Sequence, residues 1–243
     1  MKAMIFAAGL GTRLYPITQS IPKALVEVNH KPLIEIVIRR LISFGITDII
    51  INLHHFGDQI KRFIRERNNF GIDIQFSDET GLLLDTGGGL KKASWFFDDG
   101  RPFIIHNVDV ISNLDLGKMI EFHHSSGALA TLGVRKRSSS RYLYFDGNNS
   151  LCGWENTRTA EKVMVRTTDK INQFAFSGIQ VVDPLIFSHI KQTGRFSIID
   201  VYLKIASMHK IQAFDHSESL WVDVGKPDSL ETAEAVLDKL NLD

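Results

Sequence analysis

Lys2-Ala3-Met4-Ile5-Phe6-Ala7-Ala8, followed at once by Gly9-Leu10-Gly11-Thr12-Arg13, is the stretch on which the fold turns. The first part is short, apolar apart from Lys2, and closed by glycine, which suits a strand buried on both faces of a parallel sheet. The stretch from Gly9 to Lys23 then reads as a loop at that strand's carboxyl end, where open α/β sheets hold their ligands.

Downstream, Leu33, Ile36, Val37, Ile38, Leu41 and Ile42 recur at helical spacing. Pro32 stands at the first turn and Gly45 past the last, predicting a helix over Pro32 to Phe44. Asp48 to Leu53 is the next buried strand, and Phe56 to Asn68 an amphipathic helix with Ile60, Phe63 and Ile64 on one face. The alternation continues through a strand at Ile72 to Ser77, a helix over Leu90 to Phe97, a strand at Pro102 to Asn107 and a helix around Leu114 to His124. Such βα alternation predicts an α/β fold with a mainly parallel sheet covered by helices on both faces. After Ala128 to Val134 the pattern changes. Tyr142 to Phe145 and Leu151 to Trp154 predict a hairpin about Asp146-Gly147-Asn148-Asn149. Phe174 to Val182 follows as a long strand, Ser197 to Met208 as a helix, Ile211 to Phe214 and Leu220 to Val224 as strands, and Pro227 to Leu240 as a closing helix. No repeat or linker appears, so the expectation is one domain over 1–243, with 1–127 mainly nucleotide-binding and 128–243 mainly substrate-binding.

The chain has 243 residues, 44% of them apolar and 9% aromatic, enough to bury a large core. Lysine plus arginine equal aspartate plus glutamate at 28 each, which disfavours a nucleic-acid or membrane-surface binder. A lone Cys152 and an apolar start that stops at Ala8, too short for a signal peptide or span, make a cytoplasmic location the expectation. Cys152 itself reads as inert.

Glycines at 9 and 11 let backbone N–H groups approach phosphate oxygens, while Arg13 offers a charged fork and Lys23 a point charge. Two better-known phosphate motifs fail: Leu14 stands where a dinucleotide fingerprint needs its third glycine, and no GxxxxGK[ST] occurs. Asp109, just past an apolar strand, stands beside this loop, and Asp223 follows a later strand. Magnesium takes one or two such carboxylates together with phosphates and water. The run Asp85-Thr86-Gly87-Gly88-Gly89 reads as a glycine-rich helix start with free N–H groups for an anion or a base edge. Gly178, inside an apolar strand after Ser177, marks close approach of a ligand or backbone.

The segment FAAGLGTRLYPITQSIPKAL resembles the first loop, LAAGxGTRLxPxTxxxPKxL, of the sugar-1-phosphate nucleotidylyltransferases. The likeness runs on through Thr86-Gly87-Gly88-Gly89, Asn107-Val108-Asp109, Phe176-Ser177-Gly178-Ile179 and Trp221-Val222-Asp223-Val224-Gly225. Within the family the chain is most similar to short N-acetylmuramate-1-phosphate uridylyltransferases and mannose-1-phosphate guanylyltransferases. The resemblance implies a Rossmann-like catalytic domain that takes a nucleoside triphosphate and a sugar 1-phosphate. It implies Arg13 and Lys23 as catalytic charges, and Ala8, Gly9, Gly11, Thr12, Gly87 and Gly88 at the nucleotide. Asn107, Glu155, Ser177 and Gly178 fall to the sugar phosphate, and Asp109 and Asp223 to Mg2+. Two departures stand out. Val108, where glycine or alanine is common, alters the pocket beside the metal. A Glu-Lys-Pro triplet is missing, with Trp154-Glu155-Asn156 in roughly its region, so a cation for the sugar phosphate is unassigned.

Adjacent His54-His55 and His123-His124 lack metal-ligand spacing and read as structural. Arg135 to Arg141 reads as a solvated loop, with a basic lid over anionic substrates as the alternative. Two other functions stay open: the same chemistry on another phosphorylated acceptor or a sugar acid, and a nucleotide-binding module without catalysis. Joint presence of Arg13, Lys23, Asp109 and Asp223 speaks against the module.

Overall fold

The computed structural model describes residues 1–240, so the last three positions of the expected 128–243 half lie outside the described residues. Contacts divide the chain into two units with interleaved boundaries: Met1–Asp85, Ile105–Leu114 and Ser219 onward in the first, Thr86–Ile104 and Asp115–Glu218 in the second.

In chain order the first stretch carries β1 (Lys2–Phe6), β2 (Glu27–Val28), β3 (Lys31–Pro32), α1 (Leu33–Ser43), β4 (Asp48–Leu53), α2 (Gly57–Glu66) and β5 (Asp73–Asp78). Then come α3 (Asp85–Lys92), β6 (Phe103–Asn107), β7 (Val110–Ser112), α4 (Leu116–Ser126), β8 (Ala130–Arg135), β9 (Arg141–Phe145) and β10 (Leu151–Asn156). The rest are β11 (Glu161–Met164), β12 (Asn172–Val182), α5 (Ile186–His189), α6 (Ile198–Ile205), β13 (Ile211–Asp215), β14 (Trp221–Asp223) and α7 (Ser229–Leu237).

In the first unit β1 pairs with β4 and β4 with β5, both parallel, so all three carboxyl ends open on one edge. Their interior is the apolar runs already legible in the chain: Ala3, Met4, Ile5 and Ile49 to Ile51 are wholly buried. Each such methionine or isoleucine side chain stabilises the fold by about 1.5–3 kcal/mol relative to exposure. α1 ends as its composition predicts, with the Gly45 amide bonding back to Ile42 at 2.8 Å and Gly45 at φ +74°. β7 and β14 form a two-stranded antiparallel ribbon, with α7 packed on it through Ala233, Val236 and Leu237. The expected plain loop from Gly9 to Lys23 is corrected: it is wound into three single 3₁₀ turns, Thr12–Leu14, Ile17–Gln19 and Lys23–Leu25.

In the second unit the strand order is β11-β10-β9-β12, with β8 on β12 and β13 parallel to β8. The expected hairpin is present. Asp146 Oδ1 accepts the amides of Asn148 at 2.8 Å and Ser150 at 2.9 Å, the side-chain turn its Asp-Gly-Asn-Asn composition favours. β12 pairs with β9 over its first three residues and with β8 beyond, with a register shift between Phe176 and Gln180. β11 went unread because all four of its side chains are exposed, which leaves no apolar alternation to see.

One element starts earlier than predicted. α3 begins at Asp85, so Gly87 to Gly89 lie inside it and are buried instead of preceding it. The Gly87 and Gly88 amides donate to the Phe196 carbonyl at 2.9 and 3.3 Å, so the expectation of free N–H groups there is corrected for both. A Cβ on Gly87 would stand 2.5 Å from the Phe196 ring, and that close approach is what requires glycine. Among the described residues no helix is long and apolar enough to cross a membrane.

Candidate active site

The first unit gathers Arg13, Lys23, Asp109 and Asp223. Gly11, in the left-handed conformation at φ +66°, turns the chain out of the β1 edge, and Thr18 Oγ1 donates to its carbonyl at 2.8 Å. A Cβ at position 11 would meet Lys23 Cβ at 3.1 Å and Thr18 Cγ2 at 3.2 Å. Glycine here therefore lets the 3₁₀ turns fold Lys23 back onto the start of the loop. Sequence reasoning passed over Thr18, although it stands in the quoted loop motif. A Cβ on Gly9, by contrast, would meet nothing of the chain. Ala8 is buried against the sheet edge, while Gly9 is exposed.

Lys23 Nζ donates to Asp109 Oδ2 in an ion pair with the two side chains only 10% and 20% exposed. Asp109 follows β6, and its carbonyl accepts the Val224 amide at 2.8 Å. Asp223 lies opposite Val110 in the β7–β14 ladder. Two carboxylates distant in sequence thus come from neighbouring backbone positions of one ribbon. A Cβ on Gly225 would lie 2.7 Å from Asp223 Oδ1 and 2.9 Å from Arg13 Nη2, so both charges crowd the space this glycine leaves. Gly225 thereby joins the candidate residues, where the sequence places it only within the Trp221 to Gly225 motif. The signal was a glycine two positions after a strand-end aspartate.

The donor set bears on a cation. Among the described residues no group of three or more His, Cys, Asp or Glu could hold a metal ion, which excludes a closed all-protein cage. Two carboxylates carried on neighbouring backbone positions fit the preference of magnesium for few protein oxygens and several from water or phosphate. Arg13 and Lys23 beside them balance their charge and offer donors to phosphate oxygens.

Asn107 ends β6 in the first unit, where its carbonyl accepts from His106 Nδ1 at 2.8 Å. His106 is buried and its imidazole is pushed down to about 4, mainly by burial. The remaining predicted residues, Gly87, Gly88, Glu155, Ser177 and Gly178, belong to the second unit. Ser177 and Gly178 occupy the register shift of β12, and Gly178 takes φ +81°, a bulge that re-aims the strand. The Ser177 hydroxyl points inward, donating to the Gly133 carbonyl at 2.6 Å. Glu155, on β10, accepts the Tyr144 hydroxyl at Oε2, and Lys162 Nζ sits 4.8 Å over the Tyr144 ring. Burial first, and the bond to Glu155 second, push the Tyr144 phenol up to about 12. Tyr144 had no signal in the chain beyond its place in a predicted strand.

The basic stretch joins β8 to β9 as a loop with Lys136, Ser138, Ser140 and Arg141 exposed, while two of its arginines are tied to the chain. Arg135 Nη2 donates to the Ser217 carbonyl and Arg137 Nη2 to the Phe176 carbonyl, each at 3.2 Å. One histidine of each pair is held by the fold and the other is exposed: His54 Nδ1 lies 2.7 Å from the Glu79 carbonyl and buried His123 3.0 Å from Thr131 Oγ1, while His55 and His124 face solvent. Cys152 is buried, and burial pushes its thiol up.

Compared with known proteins, the chain matches the Nucleotidyl transferase family over residues 2–239. A UTP–glucose-1-phosphate uridylyltransferase of Synechocystis sp. is 29% identical over 98% of this chain and 64% of its own length. A mannose-1-phosphate guanyltransferase of Gibberella zeae is 33% identical over 93% of this chain and 61% of its own. The chain therefore spans about three-fifths of the length of these curated relatives. Among solved structures, HddC from Yersinia pseudotuberculosis complexed with GMP-PN superposes with a TM-score of 0.78 over 97% of this chain and 99% of its own. At 23% identity that likeness bears on the fold alone, a mixed, mainly parallel α/β sheet.

Proposed function

Because the chain belongs to the Nucleotidyl transferase family, we propose that it joins a nucleoside triphosphate to a sugar 1-phosphate, releasing pyrophosphate and a nucleotide sugar. The observation that carries this reading is the four-charge group of Arg13, Lys23, Asp109 and Asp223 at the carboxyl end of β1. An oxygen of the sugar phosphate attacks the α-phosphorus in line. The new P–O bond forms as the bond to the β-phosphate oxygen breaks, and pyrophosphate leaves with the electron pair. No covalent enzyme intermediate is required, so the residues act by position and charge.

Lys23 exchanges Asp109 for the α-phosphate region, and Arg13 stabilises the charge that grows on the departing pyrophosphate. Asp109 and Asp223 are the residues that would hold Mg2+, which when bound neutralises the phosphate oxygens. Space beside Gly9, with no atom of the chain within 4 Å of a Cβ there, leaves the backbone at Gly9 open to approach between Ala8 and Gly11, and Thr12 heads the turn behind it. Gly87 and Gly88 contribute shape at the nucleotide, since their amides are engaged by Phe196. Asn107, Glu155, Ser177 and Gly178 are assigned to the sugar phosphate, Ser177 through its backbone because its hydroxyl points inward.

For the specific pair, uridylyl transfer to N-acetylmuramate 1-phosphate is the first reading, resting on whole-chain resemblance. Guanylyl transfer to mannose 1-phosphate is the second, supported by the Gibberella zeae relative. A pyrophosphate-release screen of the four common ribonucleoside triphosphates and dTTP against a panel of sugar 1-phosphates tests class and specificity together. Magnesium-dependent release with UTP and N-acetylmuramate 1-phosphate is expected. Robust GTP-dependent turnover of mannose 1-phosphate with none from UTP selects the second reading, and no release from any pair refutes the class.

A further inference from the structure

A buried polar chain at the carboxyl ends of β1, β4 and β5 takes no part in the chemistry above. The amide of Ala7, first residue past β1, donates to Asn52 Oδ1 at 2.7 Å. Asn52 Nδ2 donates to Glu79 Oε1 at 2.7 Å, and Glu79 Oε2 accepts the Leu84 amide at 3.0 Å. Asn52 is 3% exposed and Glu79 only 1%, so each link is shielded from water. The backbone of Glu79 is anchored as well. Its amide donates to the Leu53 carbonyl at 2.6 Å, and its carbonyl accepts the Leu82 amide at 3.0 Å and His54 Nδ1 at 2.7 Å.

Both ends of this chain are backbone N–H groups, which can only donate. The group facing Ala7 must therefore accept, which turns the Asn52 amide nitrogen toward position 79. Position 79 then receives two donors and needs an acceptor at both oxygens, as a carboxylate offers and a glutamine does not. An acidic residue is thus dictated at a buried position with no cation in the chain of bonds, a costly arrangement unless every oxygen is bonded.

We propose that Asn52 and Glu79 are positioning residues: they set the angle at which the phosphate loop leaves β1, and thereby where the backbone of Ala8 and Gly9 meets the nucleotide. The proposal rests on the nucleotide-binding role given to that loop above. It makes one carboxylate the tie between two loops, the one after β1 through Asn52 and the one running from Glu79 to Leu84.

The polarity argument supplies its own test. Glu79→Gln brings an N–H against either Asn52 Nδ2 or the Leu84 amide, and Asn52→Asp sets two carboxylates face to face. Each leaves one mismatched link in the chain of bonds that anchors Ala7. In the double variant Asn52→Asp with Glu79→Gln, the new carboxylate at 52 accepts from Ala7 and from the new amide at 79, whose oxygen accepts from Leu84. Every donor again meets an acceptor. Each single variant is expected to raise the nucleotide KM about tenfold, as for loss of a charge-assisted buried bond, and to leave the sugar-phosphate KM within about twofold. The double variant should return to within about threefold of the unaltered protein. Hydrogen exchange of the peptide from Ala3 to Leu14, without substrate, should quicken in both single variants and recover in the double. Unchanged exchange in the single variants, a double variant that is unfolded or no better than they are, or equal losses for both substrates would overturn the proposal. If the unaltered protein releases no pyrophosphate with any pair, the functional reading has failed, while the exchange measurement still decides whether this chain of bonds sets the loop.

Discussion

An amide in place of a carboxylate keeps the shape of an aspartate but removes its charge and one metal-binding oxygen. Asp109→Asn and Asp223→Asn are each expected to lower pyrophosphate release roughly a hundredfold with the circular dichroism spectrum unchanged. Near-wild-type turnover of both variants at limiting magnesium would end the two-carboxylate assignment. The two are not equivalent, because Asp109 also holds Lys23 and the loss of its charge leaves a buried ammonium without its counter-charge. Asp223→Asn is therefore the cleaner reading of metal binding. Arg13 shares the space beside Gly225 with Asp223, and under the proposed reaction its charge would matter most as pyrophosphate departs. Arg13→Ala should reduce kcat by about 10²–10³-fold and nucleotide KM far less. An effect confined to KM would limit Arg13 to binding.

An element can require a residue for reasons its own periodicity hides. The glycines of α3 read as a helix start ahead of Leu90 because glycine is unfavourable inside helices, yet the helix starts before them and Phe196 lies against Gly87. Gly87→Ala should improve helix propensity and still destabilise the protein, by about 1–3 kcal/mol from overpacking. For a chain of this size that lowers the thermal midpoint by roughly 2–4 °C per kcal/mol, measurable by calorimetry. In a Phe196→Ala background the same change should cost less, the remaining penalty coming from the Ile198 amide nitrogen 3.0 Å from the added Cβ. A midpoint that rises in the native background would contradict the steric explanation. β7 shows the opposite case. Its three residues are too few to leave an alternation in the sequence, so its pairing with β14, which the run Leu220 to Val224 does announce, defines it.

At the scale of the whole molecule, burial holds three histidines neutral. His106, His123 and His216 are each pushed down to about 4, in every case chiefly by desolvation. In the unfolded chain they take up protons near the ordinary 6.5, so between pH 6.5 and 4 the unfolded state binds more protons than the folded one. Stability is then highest above pH 6.5, falls as the pH drops toward 4 and levels off below it, by about 1–2 kcal/mol per histidine at pH 5. Urea unfolding at pH 7.5 and pH 5 measures this directly, and His123→Gln should shrink the difference. A midpoint as high at pH 5 as at pH 7.5 would refute the assignment.

Local periodicity, glycine and proline placement and the GTRL loop were enough to read the α/β class, the order of nearly every long element, and Arg13, Lys23, Asp109 and Asp223 as candidates. These signals survive in one dimension because burial of one face and the turn chemistry at each end act over a few neighbouring residues. Three features lay beyond that reach. Asp223 stands beside Asp109 because a non-local antiparallel register puts Val224 against the Asp109 carbonyl. Glycine at 225 is explained only by the side chains of Arg13 and Asp223 around it. Glu79 reads in sequence as one more polar residue near a turn, and becomes a buried acceptor only when β1, β4 and β5 bring Ala7, Asn52 and Leu84 to the same edge. Each depends on which distant donors and acceptors meet once water is excluded, and that is decided by packing in three dimensions.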